Sequence, residues 1–452
     1  MFLQTMFKDK AFWKSTLVLA LPIALQNLLS SSLAIIDTIM VGQLGDIAIG
    51  AIGEASQVAF LINIFLFGLT AGGAVFAAQY WGKKDIAGIQ RTYGLVLLCC
   101  IIISVLFSIL ISVFPKTVMS LYTNSEPIIA LGAKYLRIAA FSYIGIAINL
   151  AFCTILRSVE NVRLPVVSNI IAVSTNIFFN SVLIFGYLGF PKFGVEGAAI
   201  ATVISSFINP FIIFTVSLFK RNILRCSIRN MFNFPKGFVR YFFKIALPVF
   251  FNEAMWVLGV TGTNMVFGRM GEANISALTV TRTIENIAFV LIIGLGNACG
   301  VLIGKNIGEN KHELAKTYAK RFTIIVPTIC LLIGAVIIVI RRPILSMFAM
   351  SDVARTTAMG LLVIYGLEMA LRNLPYITIV GIFRPGGDTK TGVIYDMSCL
   401  WGLALPLTIV LGLILKWNFL TVYALMLICE DIPKSLLCIR HLLSGKWIKA
   451  IR

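Results

Sequence analysis

The chain repeats one pattern of helix-bending prolines and turn glycines, and this duplication restricts its architecture more than any other feature. Val18-Leu-Ala-Leu-Pro22 returns as Lys244-Ile-Ala-Leu-Pro248, so Pro22 and Pro248 stand at the same place in two copies. Other pairs in this register, the last after one inserted residue, are Gly42 and Gly268, Gly45 and Gly271, Gly68 and Gly294, Gly82 and Gly308, and Arg157 and Arg384. Such a register indicates one structural unit used twice.

Long apolar runs indicate that both copies of this unit span a membrane. The sequence is 59% hydrophobic and 13% charged, whereas soluble domains carry about 25% charged residues. A helix that crosses the bilayer core needs about 20 apolar residues. Runs of that length lie at 13–38, 51–77, 92–114, 128–155, 162–186, 194–219, 240–264, 276–303, 317–340, 355–382, 390–414 and 418–441. This pattern predicts an all-α membrane protein with twelve transmembrane helices, six in each repeat.

The even number of helices in each repeat determines how the two copies are related. Because six crossings return the chain to its starting side, the copies are expected to be parallel repeats around an axis along the membrane normal. We predict an N-terminal six-helix lobe at 1–219, a basic cytoplasmic linker at 220–240 and a C-terminal six-helix lobe at 241–452. Secondary transporters use duplicated bundles of this kind, with the substrate site between the repeats.

The positive charge of the chain is unevenly distributed between its loops. The net charge is +19, and most Lys and Arg residues fall on the side of the N-terminus when each is assigned to its nearer loop. This bias is the one that orients membrane proteins, with basic loops in the cytoplasm. It explains the charge better than nucleic-acid binding does. We therefore predict a multi-pass protein of the cell (plasma or inner) membrane, with both termini in the cytoplasm and no nucleic-acid partner.

A single carboxylate in the first lobe is the strongest functional candidate. Asp37 lies in the first apolar run, and the matching position of the second repeat is Thr263. Folding therefore did not require an acid in both copies. A charge at the bilayer centre costs about 2.5–3.5 kcal/mol on insertion scales, so it usually has a partner or a function. Gln26 and Ser30 share the helical face of Asp37, because Ser30 follows Gln26 by one turn and Asp37 follows Ser30 by two turns.

Amides supply the other polar groups of the first lobe. Asn169, Asn176 and Asn180 fall on one face of the fifth predicted helix, and Asn149 lies in the fourth. With Asp37 they form a set of hard oxygen atoms that suits a proton or a small cation, so Na⁺ near Asp37 is the metal that the sequence predicts. The alternative is that these asparagines are hydrogen-bonding contacts between helices.

The second lobe carries its own acids within apolar runs. Glu253 and Asp396 have no basic residue three or four positions away, so each must find a distant partner, a water molecule or an ion. Two other charged pairs, Arg282 with Glu285 and Glu368 with Arg372, can neutralise themselves on one helical face. Glu430 and Asp431 lie near Lys434 and have the same structural explanation.

Catalytic and cofactor-binding patterns are not found in the sequence. The nine cysteines include no C-x-x-C pair, and two histidines are too few for a metal site. No nucleophile-and-base arrangement or phosphate-binding loop is present in the required order. We predict that the protein is not an enzyme and that it uses no cofactor other than a coupling ion, H⁺ or Na⁺.

Several of these residues lie in stretches that resemble the multidrug and toxic compound extrusion (MATE) transporters. The stretches are Ile36-Asp37-Thr38-Ile39-Met40-Val41-Gly42, Leu183-Ile184-Phe185-Gly186, Gly194 to Thr202, and Arg384 to Thr389. The resemblance extends over essentially the whole chain. It implies a two-lobed, V-shaped transporter that expels cationic or amphipathic compounds in exchange for H⁺ or Na⁺ by alternating access.

The resemblance also implies which residues belong to the site. The acid of the family's first helix falls on Asp37, and Thr202 joins the candidates because it lies in a matching stretch. A second acid of the family falls on Asn180, which offers an oxygen but no proton. In the second lobe, Arg372 stands where the family has an acid, so Glu253 and Asp396 are the candidates there.

Two transport functions remain open at this point. The first is an ion-coupled exporter of cationic or amphipathic small molecules, expected to act as a monomer in the lipid bilayer. The second is a lipid-linked saccharide flippase of the same wider superfamily, whose anionic cargo would require several cations in the cavity. Because the apolar runs of the first lobe contain Asp37 and no central Lys or Arg, we favour the exporter.

Overall fold

The computed structural model describes residues 8–220, 222–348 and 350–451, without the side chains of residues 272 and 273. Helices account for nearly all of this part of the chain. A single antiparallel bridge, between Gly387 and Ile448, is the β-type pairing found in it. Since a lipid environment offers no hydrogen-bond partners to the backbone, helices that satisfy their own polar groups are the expected solution.

Eight helices lie in the first half of the chain, with a short 3₁₀ turn at Tyr187–Gly189. They are α1 (Lys10–Gly42), α2 (Asp46–Lys83), α3 (Ile86–Val113), α4 (Pro115–Ser120), α5 (Glu126–Ala139), α6 (Ser142–Ser158), α7 (Arg163–Phe185) and α8 (Val195–Phe219). The pair α5 and α6 is bent by 49° at its junction and together forms one span-length segment.

The second half of the chain has the same order of long helices, preceded by the single turn α9 (Ile228–Met231). The helices are α10 (Phe238–Gly268), α11 (Glu272–Gly308), α12 (His312–Ser346), α13 (Asp352–Thr378), α14 (Thr389–Cys399), α15 (Leu405–Ile409) and α16 (Phe419–Ser444). Three π-helical segments, Ile379–Phe383, Leu400–Ala404 and Val410–Ile414, continue α13, α14 and α15.

The predicted membrane spans agree with these helices. Within the described residues, ten helical segments are long and apolar enough to cross a bilayer, and the bent pair α5–α6 makes eleven. The twelfth predicted span falls on α16, which has 26 residues but contains Glu430, Asp431 and Lys434. The prediction of an all-helical fold with two sets of six spans is confirmed.

The helices pack into two compact units. The first unit is Leu25–Phe243, and the second combines the chain up to Ala24 with the chain from Lys244 onward. The dividing points therefore lie inside α1 and α10, close to Pro22 and Pro248.

The beginnings of α1 and α10 account for the difference between these units and the predicted lobes 1–219 and 241–452. Phe12 of α1 is fully buried in the second unit, where its ring meets those of Tyr318 and Phe322 at centroid distances of 4.9 and 5.4 Å. Phe242 of α10 is fully buried in the first unit, 5.3 Å from the ring of Phe76. Because burial of a large aromatic side chain is strongly favourable, the beginning of each helix belongs to the unit that covers its ring.

Candidate functional site

Asp37 lies at one end of a hydrogen-bonded chain that joins three helices of the first unit. The amide of Asn180, on α7, donates to the Asp37 carboxylate at 2.6 Å and to the Asn176 carbonyl oxygen at 2.8 Å. Asn176 in turn donates to the hydroxyl of Ser205, on α8, at 3.2 Å. Asn176 and Asn180 are each only 1% exposed. Because Asn176 and Asn180 are four residues apart on α7, both amides lie on the same helical face, where they contact polar side chains of α1 and α8.

Thr202 lies one turn before Ser205 on α8, at the edge of this chain of contacts. Its hydroxyl donates to the Ala198 carbonyl of its own helix at 3.0 Å, and its carbonyl accepts from Ser205 at 3.0 Å. The side chain of Tyr135, from α5, lies close to Thr202 and to the charge of Asp37. Sequence reasoning missed Tyr135, because an aromatic residue in an apolar helix carries no signal of a polar contact.

The charge of Asp37 is not neutralised by a neighbouring cation. Among the described residues, no Lys or Arg lies within ion-pair distance of its carboxylate, and Asn180 is its hydrogen-bond donor. The Asn180 carbonyl oxygen is buried and has no hydrogen-bond donor in the described part of the chain. A buried acceptor without a donor is costly. A carboxylate beside such an acceptor is an arrangement that a proton or a small cation would complete.

Gln26 and Asn149, which the sequence grouped with Asp37, belong to a second polar cluster. Gln26 is eleven residues before Asp37, about 16 Å along α1 at about 1.5 Å per residue. Its side-chain carbonyl oxygen accepts from the guanidinium of Arg157 at 2.7 Å. Its amide contacts the sulfur of Cys153 at 3.8 Å, and that thiol donates to Asn149 at 3.4 Å. The predicted set of first-lobe residues is thus divided between two levels of α1.

Asn169 connects α7 to the Gln26 level of α1. Its amide donates to the Gln26 backbone carbonyl at 3.3 Å and contacts the Ser30 hydroxyl at 3.4 Å. The three asparagines of the α7 face therefore divide in the same way, with Asn169 at Gln26 and the other two at Asp37.

In the second unit, both candidate acids have a cationic partner far away in sequence. Glu253 receives the guanidinium of Arg384 at 2.7 Å, and both side chains are largely buried. Asp396 lies 3.3 Å from the ammonium of Lys434 and accepts from the Asn252 amide at 3.0 Å. Neither cation could be found from local spacing, since each pair joins two helical segments that are not neighbours in the chain.

Lys434 is the ion-pair partner of three acids at once. Besides Asp396, it contacts Glu430 at 2.7 Å and Asp431 at 3.6 Å on its own helix. The predicted self-pairing of Glu430, Asp431 and Lys434 is therefore present, with Asp396 added from α14. A single buried ammonium holds α14 and α16 together through these contacts.

The other two predicted pairs of the second unit have other neighbours as well. The Arg282 guanidinium donates to the Asn264 carbonyl oxygen, and Glu285 accepts from the Tyr423 hydroxyl at 3.0 Å. Glu368, four residues before Arg372, lies against Asp431 of α16. Helical spacing gave neighbours on one face, but side chains from other helices determine the contacts.

A polar turn between α13 and α14 follows Arg384 and is held by the end of the chain. Asp388 is 1% exposed and contacts His441 at 2.8 Å and Lys449 at 2.8 Å. Its carboxylate also accepts from the Thr391 hydroxyl at 2.8 Å. Burial acts to raise the pKa of Asp388, but the hydrogen bonds from Lys449, Thr391 and His441 outweigh it and lower the pKa below its ordinary value.

Comparisons with known proteins identify the family of the chain. The family model MatE matches the chain twice, over residues 22–182 and 248–410. The chain belongs to the MatE family. The two matches begin at Pro22 and Pro248, the equivalent prolines of the internal repeat. MatE membership makes the chain a multi-pass membrane transporter, as the resemblance implied.

Curated relatives of this MatE protein share its length. It is 25% identical to the probable multidrug resistance protein YoeA of Bacillus subtilis, with 93% of this chain and 92% of the relative covered. It is 24% identical to the probable multidrug resistance protein NorM of Thermotoga maritima, with 96% and 93% covered. Both matches extend over the first and the second unit.

Solved structures agree on the fold. A MATE protein crystallised in a bent conformation superposes with a TM-score of 0.85 at 19% identity, covering 99% of this chain and 97% of that one. The Vibrio cholerae MATE transporter VcmN superposes with a TM-score of 0.87 at 17% identity, covering 97% and 98%. At these identities the likeness supports the fold and carries no residue role.

Proposed function

We propose that the protein is an ion-coupled antiporter that exports cationic or amphipathic small molecules in exchange for H⁺ or Na⁺. One observation carries this proposal: Asp37 is a membrane-helix carboxylate held by a neutral amide, with no ion-pair partner in the described part of the chain. Relatives named as multidrug resistance proteins support the cargo class. A membrane-helix acid without a fixed counterion suits a cationic cargo better than the anionic head of a lipid-linked saccharide.

Exchange follows from competition for one charge. When a proton or Na⁺ neutralises Asp37, a cationic cargo loses its counterion, and when the cargo is bound the ion is displaced. Each therefore lowers the affinity for the other by the same factor. The buried Asn180 carbonyl oxygen and the Thr202 hydroxyl are the oxygen atoms that would complete a Na⁺ site beside Asp37. The lobes are proposed to alternate access to this site in a monomer of the cell membrane, with both termini in the cytoplasm.

The test is dye efflux in everted membrane vesicles with one ion gradient imposed at a time. The wild-type protein is expected to move a cationic dye under a proton gradient alone or under a sodium gradient alone. The substitution Asp37→Asn keeps the shape of the side chain and removes the charge for which ion and cargo compete. Transport should therefore fall at least about tenfold, which corresponds to about 1.4 kcal/mol.

Asp46→Asn is the matched control. Asp46 is an exposed acid in the first turn of α2, close to Asp37 in the chain, and the substitution should leave dye transport unchanged. If Asp37→Asn transports the dye as fast as the wild type under the same gradient, Asp37 is not the coupling residue.

A further inference from the structure

In the described part of the chain, three carboxylate oxygens between α13 and α16 are buried without a hydrogen-bond donor. They are both oxygens of Glu368 and the Oδ2 atom of Asp431. Glu368 is 8% exposed and Asp431 is 2% exposed. An ionised carboxylate in such a position normally binds a cation or accepts several hydrogen bonds. Lys434 does not fill this role for the three oxygens, because it contacts the other oxygen of Asp431, Oδ1, at 3.6 Å.

The two carboxyl groups lie within hydrogen-bonding range of each other. Two ionised carboxylates in contact repel, and sharing one proton turns the repulsion into a hydrogen bond. One shared proton satisfies two of the three oxygens, the one that carries it and the one that accepts the hydrogen bond. Titratable and charged side chains that face the pair come from α13 and α16: Tyr365, Arg372, Tyr423, Glu430 and Lys434. Glu285 of α11 lies behind them, near Tyr365, Arg372 and Tyr423.

The surrounding charges favour retention of that proton. Four acids of the described chain meet here from α13, α14 and α16, namely Glu368, Asp396, Glu430 and Asp431, and the cations among them are Arg372 and Lys434. Lys434 is closest to Glu430, at 2.7 Å, and is shared with Asp396. One proton on the remaining pair brings the local charge closer to neutrality, which a low-dielectric interior favours.

We propose that Glu368 and Asp431 form a proton-binding site in the second unit, distinct from Asp37, which holds one proton and exchanges it during transport. On release the carboxyl O–H bond breaks, the proton passes to water, and the pair becomes doubly negative beside Arg372 and Lys434. Movement of Lys434 away from Asp396 and toward Asp431 would stabilise that released state. The exchange step rests on the transport function proposed above, whereas proton binding does not.

Infrared spectroscopy of the purified protein in lipid vesicles tests the binding part directly. At neutral pH the wild type should show the carbonyl stretch of a protonated carboxylic acid. Glu368→Gln should lose this band, because its amide donates to Asp431 permanently and fixes the arrangement of the protonated state. Asp431→Asn makes the same change from α16 and keeps the test available if one variant does not fold. Glu313→Gln, an exposed acid paired with Lys316, should retain the band.

The exchange part is tested in the same vesicles by counting protons moved per dye molecule. The wild type should exchange one more proton per dye than Glu368→Gln does. A carboxylic acid band that persists undiminished in both Glu368→Gln and Asp431→Asn would overturn the site. A band that is lost while the proton count stays unchanged would overturn its role in exchange. If the wild type moves no dye under either gradient while the band still depends on Glu368, the transport function fails and the proton site stands.

Discussion

The two halves of this protein place different chemistry at the same positions of one repeat. In each half an arginine from the end of an equivalent helix reaches back to the first helix of the repeat. Arg157 meets the neutral Gln26 at 2.7 Å, whereas Arg384 meets the acid Glu253 at 2.7 Å. The two arginines are equivalent in the internal repeat once its inserted residue is included.

A second pair of equivalent positions differs in the same direction. Asn169 and Asp396 are related by the register that pairs the two arginines, and each hydrogen bonds with the first helix of its own half. Their partners there, Gln26 and Asn252, are related by the register that pairs the two prolines. The first half therefore builds this junction from neutral amides and one arginine, and the second half builds it from ion pairs.

The two halves also differ in whether their buried acids have a cationic partner. Asp37, near the end of α1, has no ion-pair partner among the described residues, and its equivalent, Thr263, donates to the Gly259 carbonyl of its own helix at 2.9 Å. In the second half, the acids at the junction are bound to Arg384 and Lys434. A free acid is available to an ion or a cargo, whereas a paired acid first has to lose its partner.

The largest expected difference between the halves comes from removing the two equivalent arginines, Arg157 and Arg384. Arg384→Ala leaves the Glu253 carboxylate buried without its cation, which should cost about 3–5 kcal/mol of folding free energy. Arg157→Ala leaves only a neutral amide without one hydrogen bond, so the cost should be about 1–3 kcal/mol. Thermal unfolding of both variants in the same detergent measures the difference.

The double substitution Arg384→Ala with Glu253→Gln is the control for this first prediction. It removes both charges and should recover a large part of the stability lost in Arg384→Ala. Equal losses of stability for Arg157→Ala and Arg384→Ala would mean that charge does not distinguish the two junctions.

The sequence alone could predict which positions of the two halves are equivalent, because the internal repeat aligns them. The apolar runs predicted the eleven segments that are long and apolar enough to cross a bilayer, because length and hydropathy are local properties of the sequence. The i and i+4 spacing placed Asn176 and Asn180 on one face, and both join the hydrogen-bonded chain of Asp37. These are local properties, which a linear pattern contains.

Contacts between distant helices could not be predicted in the same way. Nothing in the pattern indicates that Lys434 pairs with Asp396 or that Glu368 faces Asp431, because those contacts depend on how α13, α14 and α16 pack. The grouping of Gln26 with Asp37 followed from a shared helical face. The structure separates them because eleven residues along a helix exceed the reach of any side chain.

The turns after the two arginines offer a comparison with a smaller expected effect. Asn161 and Asp388 are equivalent in the register of the arginines, and their backbone amides make the same hydrogen bond, to Leu156 at 2.8 Å and to Phe383 at 2.9 Å. Asp388→Asn makes the second turn chemically like the first. It weakens the hydrogen bond with His441 and the ion pair with Lys449, so the cost at neutral pH should be about 1–3 kcal/mol.

The pH dependence of that cost checks its origin. Because the folded state lowers the pKa of Asp388, its contribution to stability is present above the ordinary Asp pKa of about 3.9 and is lost as the pH falls through the lowered value. Unfolding temperatures of the wild type and Asp388→Asn should therefore differ at neutral pH and converge in strong acid. A difference that stays constant down to that pH would assign the effect to packing instead of charge.

The smallest expected effect concerns Thr263, the counterpart of Asp37. The Thr263 side chain is buried, and its hydroxyl donates to the carbonyl of its own helix four residues earlier, a bond that a helix does not need. Thr263→Val keeps the branched shape and removes only that hydroxyl, so stability should change by less than about 1 kcal/mol and dye efflux should match the wild type. Thr263→Val and Asp37→Asn are measured in the same vesicles. A loss of efflux in Asp37→Asn alone would show that transport needs the polar group at this position in the first half and not in the second. Loss of efflux in Thr263→Val at unchanged protein yield would mean that both copies of the position take part in transport, and the contrast between the halves would then lie elsewhere.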